Sequence, residues 1–281
     1  MQALWLFLSL GVLSSCYQPI EGCLDREASN FDVSADNACS DCCVYPSMRL
    51  AVIHRMVSED TTLTFQLNER YEDDFGQSYR ISQVSYYFQG ASLIKTDGQR
   101  IEVQDSVLLT RVEGIGDTVQ EFYRDDVLRV EGSNFQFRSL GTFRGSGLLS
   151  LFELTLGLPE NYVQVLPASA PAGHPLSQTD LWTEEEGFAQ ARMVLISESP
   201  ADTLTKVIEI RSPQPLGSGV ISAPTTLVLP PGFGTELTLQ VDYRAWLRGV
   251  NTLSDSESVI ADKIRDNLPN SFELVSVVTK L

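Results

Sequence analysis

From Met48 to the carboxyl end, apolar and β-branched residues recur in short runs broken by Gly, Pro, Asn and Asp, the spacing of strands rather than helices. "RLAVIHRMV" and "TLTFQLNE" are the first two such runs, and "YRISQVSYYFQGASLIKTDGQRIEVQDSVLLTRV" reads as strands joined by a tight turn. Asp97 and Gly98 supply that turn, because glycine readily takes positive φ. Further strands are expected over 122–130, 148–157, 187–197, 204–211, 225–229 and 236–246. Two stretches break the rhythm. Residues 158–182 are long and Pro-rich and read as an extended surface excursion, the kind of loop that carries binding sites on a β scaffold. Near the end, "SDSESVIADKIRDNLP" places Val259, Ile260, Ile264 and Leu268 at helical spacings, with Ser256 as N-cap and Pro269 as a stop. The fold class expected is all-β, an antiparallel β-sandwich with one short C-terminal helix, closed by "SFELVSVVTKL" as the last strand.

The amino terminus has a different pattern. "MQALWLFLSLGVLSSC" holds an apolar run too short to span a bilayer but suited to a signal-peptide core, although no Lys or Arg precedes it. Its end, Leu13, Ser14, Ser15, Cys16, resembles the bacterial lipobox, in which the Cys takes a diacylglycerol after cleavage. Each buried acyl methylene adds about 0.8 kcal/mol, so a lipidated Cys16 tethers the chain to a membrane. The parse is a lipoprotein signal peptide at 1–15, a lipid anchor and Cys-rich collar at 16–47, and one domain at 48–281.

Charge narrows the partners. The net charge is −17, and residues 1–15 contribute none of it. Nucleic acid is therefore not an expected partner. Scattered acidic side chains attract divalent cations only weakly.

Beyond Cys16, four cysteines remain: Cys23, Cys39, Cys42 and Cys43. An even number in an exported chain implies two disulfides. Joining adjacent Cys42 and Cys43 demands strained geometry, so Cys23 pairs with one of them and Cys39 with the other. Cys39, Ser40, Asp41, Cys42 also reads as a CxxC, a zinc or redox motif, but oxidation removes the thiolates that zinc needs. Asp25, Asn30, Asp32, Asp36, Asn37 and Asp41 offer oxygen ligands to calcium, without EF-hand spacing; Asx turns account for them equally well. The pattern GCxDxxAxNFDxxADxxCxxCCxYP resembles a Cys-rich module of surface lipoproteins of Gram-negative bacteria.

Catalytic signatures are sparse. There is no GxSxG elbow, and Gly114, Gly116, Gly145 and Gly147 lack phosphate-loop contexts. The run Glu184, Glu185, Glu186 reads as a solvated acidic loop, with a general acid and base as the lesser reading. The chain is not expected to be an enzyme. It has two histidines: His54 within a strand beside Met56, and His174 in the long excursion. Imidazole and thioether suit copper, so His54 and His174 converging with Met56 or Met193 form a candidate copper site. Hydrogen-bonded structural histidines are the competing reading. Tyr86, Tyr87 and Phe88 read as packing aromatics.

A strand with His54, then "GQSYRISQVSYYFQGASLIKTDG", "LTLGLP", "HPLSQTDLWTEEEGFAQARMVLI", "LQVDYRAWLRGV" and "IRDNLPNSF", in this order, resembles the MbnP-like family across residues 48–281. That resemblance implies a β-rich extracytoplasmic domain in the cell envelope, lipid-anchored and most naturally at the outer membrane. In characterised members it implies copper bound through histidines, and a Trp oxidised by a dihaem redox partner. His54 falls at the first-strand His of that pattern, His174 and Pro175 at its HP, and Trp182 at the first Trp of WxWxxG(Y/F). Glu184 stands in place of the second Trp. The reading from sequence is a copper-binding envelope lipoprotein using His54 and His174 near Trp182. Its rival is a metal-free surface module presenting residues 158–182 to a glycan or protein.

Overall fold

The computed structural model describes residues 18–58, 61–114, 116–132, 134–198, 203–212 and 216–281. The signal segment 1–15 and Cys16 lie outside the described residues. The domain is built on twelve principal strands: β1 (Ser47–Val57), β2 (Ser78–Lys95), β3 (Ser106–Val112), β4 (Thr118–Arg124), β5 (Leu128–Glu131), β6 (Arg138–Thr142), β7 (Gly147–Leu156), β8 (Ala191–Glu198), β9 (Thr203–Ile210), β10 (Gly217–Leu229), β11 (Gly234–Asp242) and β12 (Phe272–Lys280). One sheet runs β9-β8-β2-β7-β10, with β5 and two short strands also pairing along β2. The other runs β6-β1-β11-β12. Between them lies one apolar core, in which Leu50, Ile81, Phe152, Leu195, Leu237 and Trp246 are almost fully excluded from water. This is the expected sandwich, with a correction at one seam. β1 and β11 pair in parallel, Leu50 beside Leu237 and His54 beside Val241, so the sheets are not antiparallel throughout. Parallel neighbours need a long crossover, and here nearly the whole domain intervenes.

The long central strand β2 serves two cores because its side chains alternate. Tyr86 and Phe88 enter the main core, while Tyr87 points to the opposite face and a second cluster. The packing expected of these three aromatics is what the structure shows. Further along, Gly90 at φ +74° sits in a register shift opposite β7, and an added Cβ would lie 3.1 Å from the Thr155 hydroxyl. Glycine relieves both the backbone angle and the close approach.

The second cluster overturns the reading of residues 158–182. Leu158, Tyr162, Val165, Leu176 and Leu181 are buried against the β3–β4 hairpin. The stretch forms a helical turn at Glu160–Val163 and two 3-10 turns at Pro167–Ser169 and Pro175–Ser177. Its prolines set turns that satisfy the backbone locally, leaving the apolar residues between them to form a core. It is therefore not a free loop but a packed cover over the hairpin, with residues 171–173 and 178–180 exposed on its outer side.

Two strand expectations are also corrected. The 122–130 strand is interrupted after Arg124, because Asp125 N–H bonds the Asp105 carbonyl at 2.9 Å and the buried Asp126 carboxylate takes the Gln89 amide and Gly90 N–H at 2.9 and 3.1 Å. The 236–246 strand ends at Asp242, whose carboxylate accepts from Arg244 N–H and opens a helical turn, Tyr243–Trp246 (α1). The C-terminal helix α2, Glu257–Asn267, follows expectation: the Ser256 hydroxyl accepts from Val259 N–H, and Ile260 and Ile264 are buried.

The collar is stapled by Cys23–Cys43 and Cys39–Cys42, one of the two pairings left open by the sequence. With all four thiols paired, the CxxC carries no thiolates for zinc. Its carboxylates serve turns, Asp25 accepting from Glu27 N–H at 3.0 Å and Asp32 from Ser34 N–H at 2.8 Å. The collar docks on the sandwich through Asp25–Arg144 at 2.8 Å and the Ser146 hydroxyl donating to Glu27 at 2.8 Å.

Candidate functional site

His54 lies on β1 among the inward residues Leu50, Val52 and Met56, which alternate with the outer face. It is only 3% exposed. Its Nδ1 is 2.8 Å from the hydroxyl of Tyr243, and the two rings stack with planes 10° apart. The parallel register explains the meeting: β11 ends just past the level of His54, and the turn at Asp242 folds Tyr243 back over the imidazole. Asp242 fixes the corner, since one carboxylate oxygen accepts from both Val57 N–H and Arg244 N–H at 3.0 Å. Around the pair, Tyr243 packs on Phe65 and Trp246 with ring centres 4.3 and 5.1 Å away, and Trp246 meets Tyr86 at 5.2 Å.

The electrostatics of this site follow from exclusion of water. Burial pulls the His54 pKa from its usual 6.5 down to about 4, with the backbone of Asn134 acting the other way. The imidazole is therefore neutral at pH 7. Burial raises the Tyr243 phenol well above its ordinary range, so it stays protonated. Among the described residues, the side-chain atoms buried without a hydrogen-bond partner include Nε2 of both His54 and His174, and Trp246 Nε1. In the tautomer that places the proton on Nδ1, facing the Tyr243 oxygen, the Nε2 lone pair is free.

His174 is positioned by different forces. It precedes Pro175 and caps the 3-10 turn, its Nδ1 accepting from Leu176 N–H at 3.1 Å. Its Nε2 faces the Asp125 carboxylate at 3.3 Å. The side chain belongs to the second lobe, whereas His54 belongs to the main core, and they share no partner. Trp182 is half-buried against the second cluster and pairs with Phe188 in a two-residue hairpin. Glu184 and Glu185 are exposed at its tip, and Glu186 is paired with Arg211 at 3.1 Å. Met193 is buried in the main core on β8. The structure thus brings His54 and Met56 to one face but does not assemble His54, His174 and Trp182 into one site. Among the described residues, no group of three or more His, Cys, Asp or Glu side chains gathers as a metal cage.

Sequence reasoning missed two groups. Arg129, with a side chain 4% exposed, forks onto both Asp180 oxygens at 2.6 Å and lies 6.0 Å from the centre of the Tyr87 ring. The one available signal was an Arg interrupting the apolar Leu128 and Val130. Tyr243 itself carried no signal, since its role depends on the turn after β11.

The fold and this site define a two-sheet β-sandwich with a phenol-anchored imidazole in its core. The chain belongs to the MbnP family, whose family model matches residues 47–262. Among solved structures, MbnP from Methylosinus trichosporium is similar at 11% identity, covering 76% of this chain and 87% of that one, with a TM-score of 0.37. No curated protein matches.

Proposed function

We propose that this chain is a lipid-anchored binding protein of the cell envelope, not an enzyme, and that it handles copper at His54. The observation that carries the copper reading is the Nε2 of His54, a buried ring nitrogen with no hydrogen bond of ordinary geometry, faced by the Asn134 backbone, on an imidazole kept neutral by burial and oriented by the Tyr243 hydroxyl. The thioether of Met56 shares that inward face, and an imidazole with a thioether suits Cu(I). Bound copper would supply one-electron chemistry; the chain's part is to orient the imidazole and exclude water. His174 does not fit the same site, because it lies in the other lobe, with Nδ1 accepting from Leu176 N–H and Nε2 beside the Asp125 carboxylate. The membrane tether is assigned to a lipidated Cys16, with the docked collar holding the domain close to it.

The test is copper stoichiometry and Cu(I) competition affinity of the secreted chain beside His54→Ala and His174→Ala. Stoichiometric copper weakened by at least about tenfold in His54→Ala and retained in His174→Ala is the expected result. Equal binding by His54→Ala and the native chain removes His54 from the site.

A further inference from the structure

In a chain of net charge −17, most arginines are held by acidic partners, as Arg129 is by Asp180 and Arg211 by Glu209. Arg244 and Arg248 are different. Neither guanidinium makes a hydrogen bond or ion pair among the described residues. Both line one cleft of about 690 Å³ at the pole of the sandwich, together with Val57, Ser58, Asp74 and Asp242. A second hollow of about 430 Å³, which shares Ser58 and Arg244, is lined also by Arg70, Glu72 and Asp73, so the two arginines face the first hollow together and only Arg244 reaches the second. The first hollow by itself is of the size that takes a small ligand.

The backbone carrying these arginines is clamped on several sides. Asp242 caps α1 and ties it to Val57, and Asp74 accepts from Gly249 N–H at 2.8 Å. The Asn267 amide donates to the carbonyls of Trp246 and Arg248 at 3.0 Å, and Lys263 donates to that of Gly249 at 2.7 Å. Asp74 and Asp242 line the cleft, yet each is engaged with backbone N–H groups and neither pairs with an arginine. The result is two planar donors, without an acidic partner among the described residues and one helical turn apart, on a clamped wall of a concave site. Guanidinium forks match the oxygens of carboxylates and phosphates.

We propose that this cleft binds the carboxylate or phosphate group of a small anionic ligand, with Arg244 and Arg248 as its donors. The ligand is small because the acidic surface repels polyanions. The site is separate from His54 and does not rest on copper.

The experiment is calorimetric titration of the copper-free chain at low ionic strength with inorganic phosphate and with succinate. Arg244→Gln and Arg248→Gln are the test variants, and Arg192→Gln, from a paired arginine outside the cleft, is the control. Both test side chains are exposed, so the variants should keep the native melting midpoint, which is checked first. Saturable one-to-one binding of either probe, weakened roughly tenfold in each test variant and unchanged in the control, supports the site. Preference for phosphate marks a phosphoryl ligand, and preference for succinate a carboxylate. No saturable binding, or binding weakened equally by the control, overturns it.

Discussion

The Tyr243 hydroxyl meets Nδ1 of His54 at 2.8 Å across 189 residues of sequence, at the point where a parallel pair of strands runs out. Both groups are buried, so the bond between them replaces water for the imidazole and for the phenol, with the Asn134 backbone and the Tyr86 hydroxyl as their further neighbours.

Removing that hydroxyl should be felt in both stability and chemistry. Tyr243→Phe keeps the ring packed on Phe65 and Trp246 but leaves His54 Nδ1 unpaired. A loss of about 1–3 kcal/mol is expected in urea denaturation. If copper is held at His54, its affinity should fall in the same variant, because the phenol fixes the tautomer. An unchanged denaturation midpoint would show that the bond contributes nothing.

Acid should act on two buried groups in opposite directions. His54 has a folded pKa of about 4, below its ordinary 6.5, so its contribution is complete above pH 6.5 and is lost as pH falls toward 4. Burial pushes Asp126 up to about 6 from 3.8, so its contribution is most favourable below pH 3.8 and is lost as pH rises toward 6. Each effect is on the order of 3 kcal/mol, and over pH 4–6 they partly cancel. Asp126→Asn should therefore lose stability more steeply than the native chain between pH 6 and 4, and His54→Gln less steeply. Urea midpoints at pH 7, 6, 5 and 4 check this. Parallel curves for all three proteins would contradict it.

The Arg129–Asp180 pair ties the long Pro-rich segment to β5 beneath Tyr87. Asp180→Ala strands a buried guanidinium and should cost about 3 kcal/mol, near the low end for a broken buried pair because Glu131 remains 2.5 Å from Arg129. Arg129→Met, which replaces the charge with an apolar side chain, should cost less. Thermal melts of the two variants give the order, and a reversed order would mean that the guanidinium is stable without Asp180.

Residues 49–57 and 79–95 were legible as strands because a sheet with a buried face writes its period of two into the chain. The helix after Ser256 was legible for a similar local reason, a cap followed by apolar residues at helical spacing. The 158–182 stretch was misread because proline-set turns look the same whether they lie on a surface or cover a core; what decides is the apolar face of the β3–β4 hairpin beneath them. Likewise, sequence could nominate His54 and His174, but burial in different lobes separates their roles.

By itself, then, the sequence determined the β-rich class, the family pattern, the stapled collar and the identity of the two imidazoles. These depend on local periodicity and on residue types that can be counted. The tertiary structure alone decided that β1 lies parallel to β11, that Tyr243 meets His54, and that Arg244 and Arg248 share a cleft without an acidic partner among the described residues. Those relations join residues far apart in the chain, where pairing is set by the closing of two sheets and no local pattern records it.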